Sequence, residues 1–170
     1  AIRKIIRANP NAKIIVTGCH AQTDPNEIKK NENIDQIVCH KDKYFIADKV
    51  FSTSLKVDEG FQKTKALLKE KTFQYFDKPV KGEMTRAYLK IQDGCDAFCT
   101  YCIVPYARGR SRSMSEKEVF CHLKELNKSG FKEVIITGIH TGLYGHDLPE
   151  KTTLLKLLEK IDNQKLVHRI

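Results

Sequence analysis

The sequence predicts an α/β protein whose strands run parallel. Apolar runs of strand length recur at KIIVTG (Lys13 to Gly18), IDQIVC (Ile34 to Cys39), AYLKIQD (Ala87 to Asp93) and KEVIITG (Lys132 to Gly138). Between them lie segments with helix-start signals or helical spacing of apolar residues, and this alternation is the pattern of strands joined by crossover helices. A Lys-rich stretch with neither period divides the elements into two groups, so the chain reads as pieces of two α/β units.

Taken in order, Ala1 to Ala8 (AIRKIIRA) is helical in period, and Asn9-Pro10-Asn11 turns the chain into the first strand. Asp24-Pro25 starts a helix continued by NEIKKN, because proline fits the first helical position, where its missing N–H costs nothing. A helix is expected near Lys43 to Phe51, after the second strand. From Ser52 to Glu83 the pattern fades into Lys, Ser and Thr with scattered aromatics, Pro79 and Gly82, the composition of a linker or covering arm.

The alternation then restarts. Ala87 to Asp93 alternates as a strand, Ser115 and Glu118 form an S-x-x-E capping box, and Val119, Leu123 and Leu126 follow at helical spacing up to Gly130. After KEVIITG, Thr153 caps a helix carrying Leu154, Leu157, Leu158 and Ile161, and KLVHRI begins a third strand. This order opens either a parallel barrel or an open α/β sheet, folds whose chemistry sits in loops at the carboxyl ends of strands. The chain begins without Met in mid-helix pattern and closes on a strand just starting, so both ends read as cuts in a longer protein.

At 170 residues and 41% hydrophobic content the chain can bury a core, which argues against disorder. The excess of 30 Lys+Arg over 21 Asp+Glu, +9 in all, fits a polyanionic partner such as RNA, or simply a solvated basic surface. No apolar run approaches membrane-spanning length and nothing reads as a signal peptide, so a cytoplasmic protein without a membrane partner is expected. In a reducing compartment, six cysteines argue for metal binding, redox chemistry or burial before disulfides.

Three of those cysteines are close together in GCDAFCTYC, where Cys95, Cys99 and Cys102 follow directly on a strand. A closed zinc site needs four ligands, usually two CxxC-like pairs, and only Cys99 and Cys102 make such a pair. The next candidates, Cys121 and His122, fall in an expected helix, where Cys121 reads as a small buried hydrophobe. A [4Fe–4S] cluster held by three thiolates instead keeps one iron open to bind and activate a small molecule, so the absent fourth cysteine becomes a functional feature.

A loop of this spacing after the first strand of an α/β barrel resembles the radical S-adenosylmethionine (SAM) superfamily. The resemblance implies that the open iron chelates SAM and that one electron from the cluster cleaves it to methionine and a 5′-deoxyadenosyl radical. It also implies that Tyr101, before the third cysteine, packs near the adenine, where without the cysteines core packing would be its reading. TGIHTGLYG (Thr137 to Gly145) matches the stretch that touches the SAM methionine, so Thr137 and Gly138 become cofactor-binding candidates, although a loop glycine is as often only a turn.

The flanks narrow the resemblance. TRAYLKIQDGCDAFCTYCIVPYARGRSRS (Thr85 to Ser113) is similar to the methylthiotransferases, which convert C–H to C–SCH3 on tRNA adenosine or on a ribosomal-protein aspartate. IVPYARGR and EVIITGIHTGLYGHDL (Glu133 to Leu148) look most like the branch acting on N6-threonylcarbamoyladenosine beside the anticodon, with the isopentenyladenosine branch the nearest rival. NPNAKIIVTGCHAQTDP (Asn9 to Pro25) resembles the third cysteine motif of the same family's N-terminal domain, which implies that Cys19 is one ligand of an auxiliary [4Fe–4S] cluster. Its two partner cysteines would lie before Ala1.

The organisation so implied is the end of the N-terminal methylthiotransferase domain over 1–58, a linker over 59–83, and the first β/α units of a radical SAM partial TIM-type barrel over 84–170. The implied cofactors are two [4Fe–4S] clusters in the whole protein together with SAM, and the implied partners are tRNA and an electron donor of flavodoxin or ferredoxin type. A fragment of this kind is expected to be inactive alone.

Other residues stay open. Arg108, Arg110 and Arg112 alternate after the cysteines and suit tRNA phosphates, the SAM carboxylate or local salt bridges equally. His140 suits substrate contact or a structural hydrogen bond, His20 has no role, and Cys39 reads as a structural thiol. The rival from another class is a non-catalytic, zinc-stabilised RNA-binding module.

Overall fold

The computed structural model describes residues 2–30, 33–47, 67–75 and 85–170. They form two compact units, Ala1–Lys69 with Cys99–Gly109, and Glu70–Phe98 with Arg110–Ile170. Most of the linker expected over 59–83, and the 58/59 and 83/84 boundaries, lie outside the described residues.

In the first unit, helix α1 (Ile2–Ala8) leads into strand β1 (Ile15–Thr17), which pairs in parallel with β2 (Gln36–Val38) from Ile15 opposite Gln36 to Thr17 opposite Val38. The Asp35 carboxylate accepts a 2.6 Å bond from the Ile14 N–H and so fixes the register where the strands begin. Between them run two short helices, α2 (Cys19–Thr23) and α3 (Pro25–Lys29). The break falls at Asp24, whose side chain caps α3 by accepting from the Glu27 N–H at 3.0 Å, with Pro25 behind it. Ala21, Ile28 and Ile37 form the small core, with Ile2, Val16 and Ile34 against it. A 3-10 turn, Lys41–Phe45, stands at the start of the helix expected from Lys43 to Phe51, whose last residues lie outside the described ones.

The second unit holds the larger core. Strand β3 (Arg86–Lys90) pairs in parallel with β6 (Glu133–Thr137), and the crossover between them carries helix α5 (Glu116–Lys128), the strand–helix–strand unit expected from the alternation. The expected strand from Ala87 to Asp93 is divided at Ile91, after which β4 (Gln92–Asp93) pairs antiparallel with β5 (Arg112–Ser113), a strand with no sequence signal. The capping box forms as expected, with Glu118 N–H donating to the Ser115 hydroxyl and the Ser115 N–H donating to the Glu118 carboxylate at 3.0 Å. Gly130 at φ +92 ends α5, with the Phe131 N–H reaching back to Leu126 O at 3.2 Å and the Gly130 N–H to Asn127 O at 3.0 Å.

Val119, Leu123 and Leu126 of α5 and Leu157 and Ile161 of α6 (Leu154–Gln164) bury against Ala87, Leu89, Ile91 and Val134. Each such side chain contributes about 1.5–3 kcal/mol by leaving water. Thr153 caps α6 by accepting from the Lys156 N–H. Phe73 and Tyr75 lie against this core; Tyr75 donates to Glu118 at 3.3 Å and meets the His122 ring edge-on at 4.7 Å, so this part of the Ser52–Glu83 stretch covers the second unit.

Two expectations fail here. KLVHRI supplies only one parallel bridge, Arg169 to Glu133, rather than a third strand. Cys121 is exposed rather than buried, because the buried face of α5 is set by Val119, Leu123 and Leu126, and Cys121 falls off it, with its thiol directed at Glu125.

Candidate functional site

The cysteine segment begins at Gly94, whose φ of +71 turns the chain out of β4, and passes from the second unit to the first between Phe98 and Cys99. In the second unit, the Cys95 sulfur accepts from the Ala97 N–H at 3.5 Å, and the His140 Nδ1 stands 3.9 Å away. Phe98 occupies the left-handed region at φ +46, a conformation costing a bulky residue about 1–3 kcal/mol. Arg110 offsets that strain: its guanidinium sits 5.5 Å from the Phe98 ring centre and pairs with Asp96 at 3.3 Å.

In the first unit, Cys99 and Cys102 are joined by a turn in which the Cys102 N–H donates to Cys99 O at 2.9 Å. Helix α4 (Val104–Arg108) follows, with Pro105 in its first turn, and ends at Gly109, where φ is +83. It lies against α2, and the Arg108 Nε donates to the Cys19 sulfur at 3.5 Å. Neither α4 nor α2 has a signal in the sequence strong enough to separate it from a loop, since each is five residues long.

The three arginines therefore diverge. Arg108 meets a thiol, Arg110 makes the local salt bridge, and Arg112 is buried in β5 at 6% exposure, which removes it from the solvent-facing phosphate contacts considered for it. Tyr101 is 90% exposed, so core packing does not account for it. His20 pairs with Glu27 at 2.7 Å, and Cys39 is buried with its thiol donating to Asp42 at 3.1 Å.

Sequence reasoning missed Gln92, which has no exposed surface. Its Nε2 donates to Gly94 O at 2.9 Å, Asp93 O at 3.2 Å and the Ser111 hydroxyl at 2.9 Å, while its Oε1 accepts from the N–H groups of Ile139 at 2.9 Å and His140 at 2.8 Å. The sequence held no signal for it: the alternation of AYLKIQD sets Gln92 on the outward face with Tyr88 and Lys90, whereas in the structure it turns inward after Ala87, Leu89 and Ile91. Beside it, Asp147 accepts from the Ser113 N–H at 2.8 Å and hydroxyl at 2.6 Å, and the Gly145 N–H donates to that hydroxyl at 2.9 Å, tying β5 to the loop after β6.

Thr137 and Gly138 occupy the carboxyl end of β6. The Thr137 carbonyl accepts from the Ile91 N–H at 2.9 Å. A β-carbon on Gly138 would fall 2.9 Å from the Gln92 β-carbon and 3.1 Å from its carbonyl oxygen, so the missing side chain is accounted for by Gln92. Burial, and the charges of Glu116, Asp147 and Glu118, push the Tyr144 phenol far above its ordinary value, and it donates as a neutral hydroxyl to Met114 O at 2.8 Å.

Residues 89–168 match the family described as the Radical SAM superfamily. These residues belong to the radical SAM superfamily. This superfamily implies SAM and a [4Fe–4S] cluster. The chain is 39% identical over 166 residues to the threonylcarbamoyladenosine tRNA methylthiotransferase MtaB of Bacillus subtilis, covering 96% of this chain and 36% of that protein. Against MtaB of Aquifex aeolicus it is 36% identical over 168 residues, covering 98% of this chain and 41% of the relative. The tRNA-2-methylthio-N(6)-dimethylallyladenosine synthase of Dehalococcoides mccartyi (strain 195) is 37% identical over 157 residues, covering 92% and 32%. The chain thus spans only a third to two-fifths of the length of these relatives.

The donors suit a soft metal centre: Cys95, Cys99 and Cys102 are free thiols, Cys99 exposed and the others partly so. Among the described residues, no three His, Cys, Asp or Glu side chains stand grouped as a metal site. No described helix is long and apolar enough to cross a membrane.

Proposed function

We infer that the chain is part of a cytoplasmic tRNA methylthiotransferase that converts N6-threonylcarbamoyladenosine beside the anticodon to its 2-methylthio derivative. One observation carries this reading: the radical SAM match spans a cysteine loop at the carboxyl end of the first strand of a parallel β/α unit, in a chain similar throughout to proteins named MtaB. On this reading Cys95, Cys99 and Cys102 hold the SAM-binding [4Fe–4S] cluster, and 84–170 supplies the first units of a partial TIM-type barrel. Cys19 contributes to an auxiliary [4Fe–4S] cluster, with 1–58 the end of the methylthiotransferase domain.

When bound, the cluster and SAM supply the one-electron chemistry that opens the adenine C–H bond, fed by a donor of flavodoxin or ferredoxin type. The chain's own residues hold and orient. The Ala97 N–H and the His140 ring face the Cys95 sulfur, which supports its role as an anionic ligand. The exposed Tyr101 ring is available to stack on an adenine. Thr137 and Gly138 bring backbone to the carboxyl end of β6. The Arg108 guanidinium at Cys19 supplies positive charge where the auxiliary ligand would carry negative charge.

A second reading, isopentenyladenosine as substrate, is favoured by the similarity to the Dehalococcoides synthase. Nucleoside mass spectrometry of tRNA from cells lacking the full-length protein separates the two. Loss of 2-methylthio-N6-threonylcarbamoyladenosine is expected; its persistence alongside loss of the isopentenyl counterpart would assign the second substrate.

A further inference from the structure

We propose that Gln92 is a positioning residue whose amide clamps the cysteine loop to the loop after β6 and thereby aims the His140 imidazole at the Cys95 sulfur. The orientation of the amide is determined by its surroundings. Oε1 faces two N–H donors and Nε2 faces two carbonyl oxygens and a hydroxyl, so reversing it would set N–H against N–H. One half of the clamp holds Gly94, the residue before Cys95; the other holds the backbone N–H of His140 itself.

The two loops are otherwise forty-odd residues apart in sequence, and the His140 side chain is exposed, with no core packing to fix it. The contact between Nδ1 and Cys95 Sγ at 3.9 Å is thus set by where the two backbones are held. On the cluster reading the Cys95 sulfur is a metal ligand with no proton of its own, so a hydrogen bond at this contact would run from Nδ1–H to sulfur. A donor to a ligand sulfur stabilises the more negative, reduced state of the centre that the sulfur holds, which raises its reduction potential. Gln92 acts on that potential only through His140.

The proposal rests on the cluster reading, and its test separates the two. In the metal-free full chain, Gln92→Met should speed amide hydrogen exchange at Ile139 and His140 about tenfold, the loss expected for a buried hydrogen bond. Gln92→Glu keeps the acceptor oxygen for both amides but loses the donation to Gly94, so exchange there should stay slow while Cys95 alkylates faster. In the chain reconstituted anaerobically with iron and sulfide, His140→Ala should shift the midpoint potential downward. Gln92→Met should shift it in the same direction, and the double variant no further than the larger single shift. Additive shifts, or a midpoint unmoved by Gln92→Met, would overturn the proposal and leave Gln92 a stabilising residue only. A wild-type chain that takes up no iron would instead sink the cluster reading, with the exchange and alkylation results still deciding the clamp; because His140 is exposed, its variant folds even where Gln92→Met does not.

Discussion

Gly138→Ala tests why a glycine ends β6. The Gly138 backbone lies outside the left-handed region, so alanine meets only a problem of space. Its β-carbon would stand 2.9 Å from the Gln92 β-carbon, 3.0 Å from the Thr141 methyl and 3.1 Å from the Gln92 carbonyl oxygen. Carbon atoms in contact rest near 3.5–4.0 Å. The Thr141 methyl belongs to a side chain that can rotate, but the Gln92 atoms are backbone or next to it, so β3–β4 and the loop after β6 must separate. Overpacking of this kind costs about 1–3 kcal/mol. For a chain of this size each kcal/mol lowers the melting temperature by roughly 2–4 °C, so a fall of about 4–8 °C is expected for the middle of that range. Thermal melts followed by circular dichroism measure it, and amide exchange at Ile139 and His140 should rise with it. An alanine variant that melts like the wild type, with unchanged exchange, would refute the packing argument and return Gly138 to a role in admitting a ligand.

Further outcomes follow from the second unit. Ser115→Ala removes the cap of α5 and should cost about 1 kcal/mol in denaturant titrations. Glu116, bonded to Lys160 and Thr152, and Glu118, bonded to Ser115, are both held below their ordinary value near 4.5, so their stabilisation is present above that pH and is lost as pH falls through the lower folded values. Acid melts should show this loss, and Lys160→Met, which removes the largest influence on Glu116, should flatten it. Cys121→Ser, at an exposed position, should change stability by no more than about 0.5 kcal/mol and leave iron uptake intact; loss of iron would reinstate Cys121 as a ligand.

The alternation of apolar runs and helix signals gave the parallel pairs because a crossover helix returns the chain to run in the same direction: Val119, Leu123 and Leu126 could face only one side of a helix, and Ser115, Gly130 and Thr153 marked its limits and the start of the next. The short elements were not legible. Helices α2 and α4 and strands β4 and β5 are too brief to show a period, and the β4–β5 pair is held by side chains distant in sequence, Asp147 on Ser113 and Gln92 on Ser111. The cysteines were visible by spacing, whereas Gln92 was invisible because a buried amide looks like any polar strand end until its five partners are known. Cys121 misled for the complementary reason: a thiol's preference for burial says nothing of which helix face it occupies.

The central claim, that Cys95, Cys99 and Cys102 hold an iron–sulfur cluster, is tested most directly by anaerobic reconstitution with iron and sulfide followed by metal analysis. A brown protein with about four irons per chain, lost on Cys99→Ala, is the expected result. A colourless protein that retains zinc would contradict it and favour the zinc-stabilised RNA-binding module.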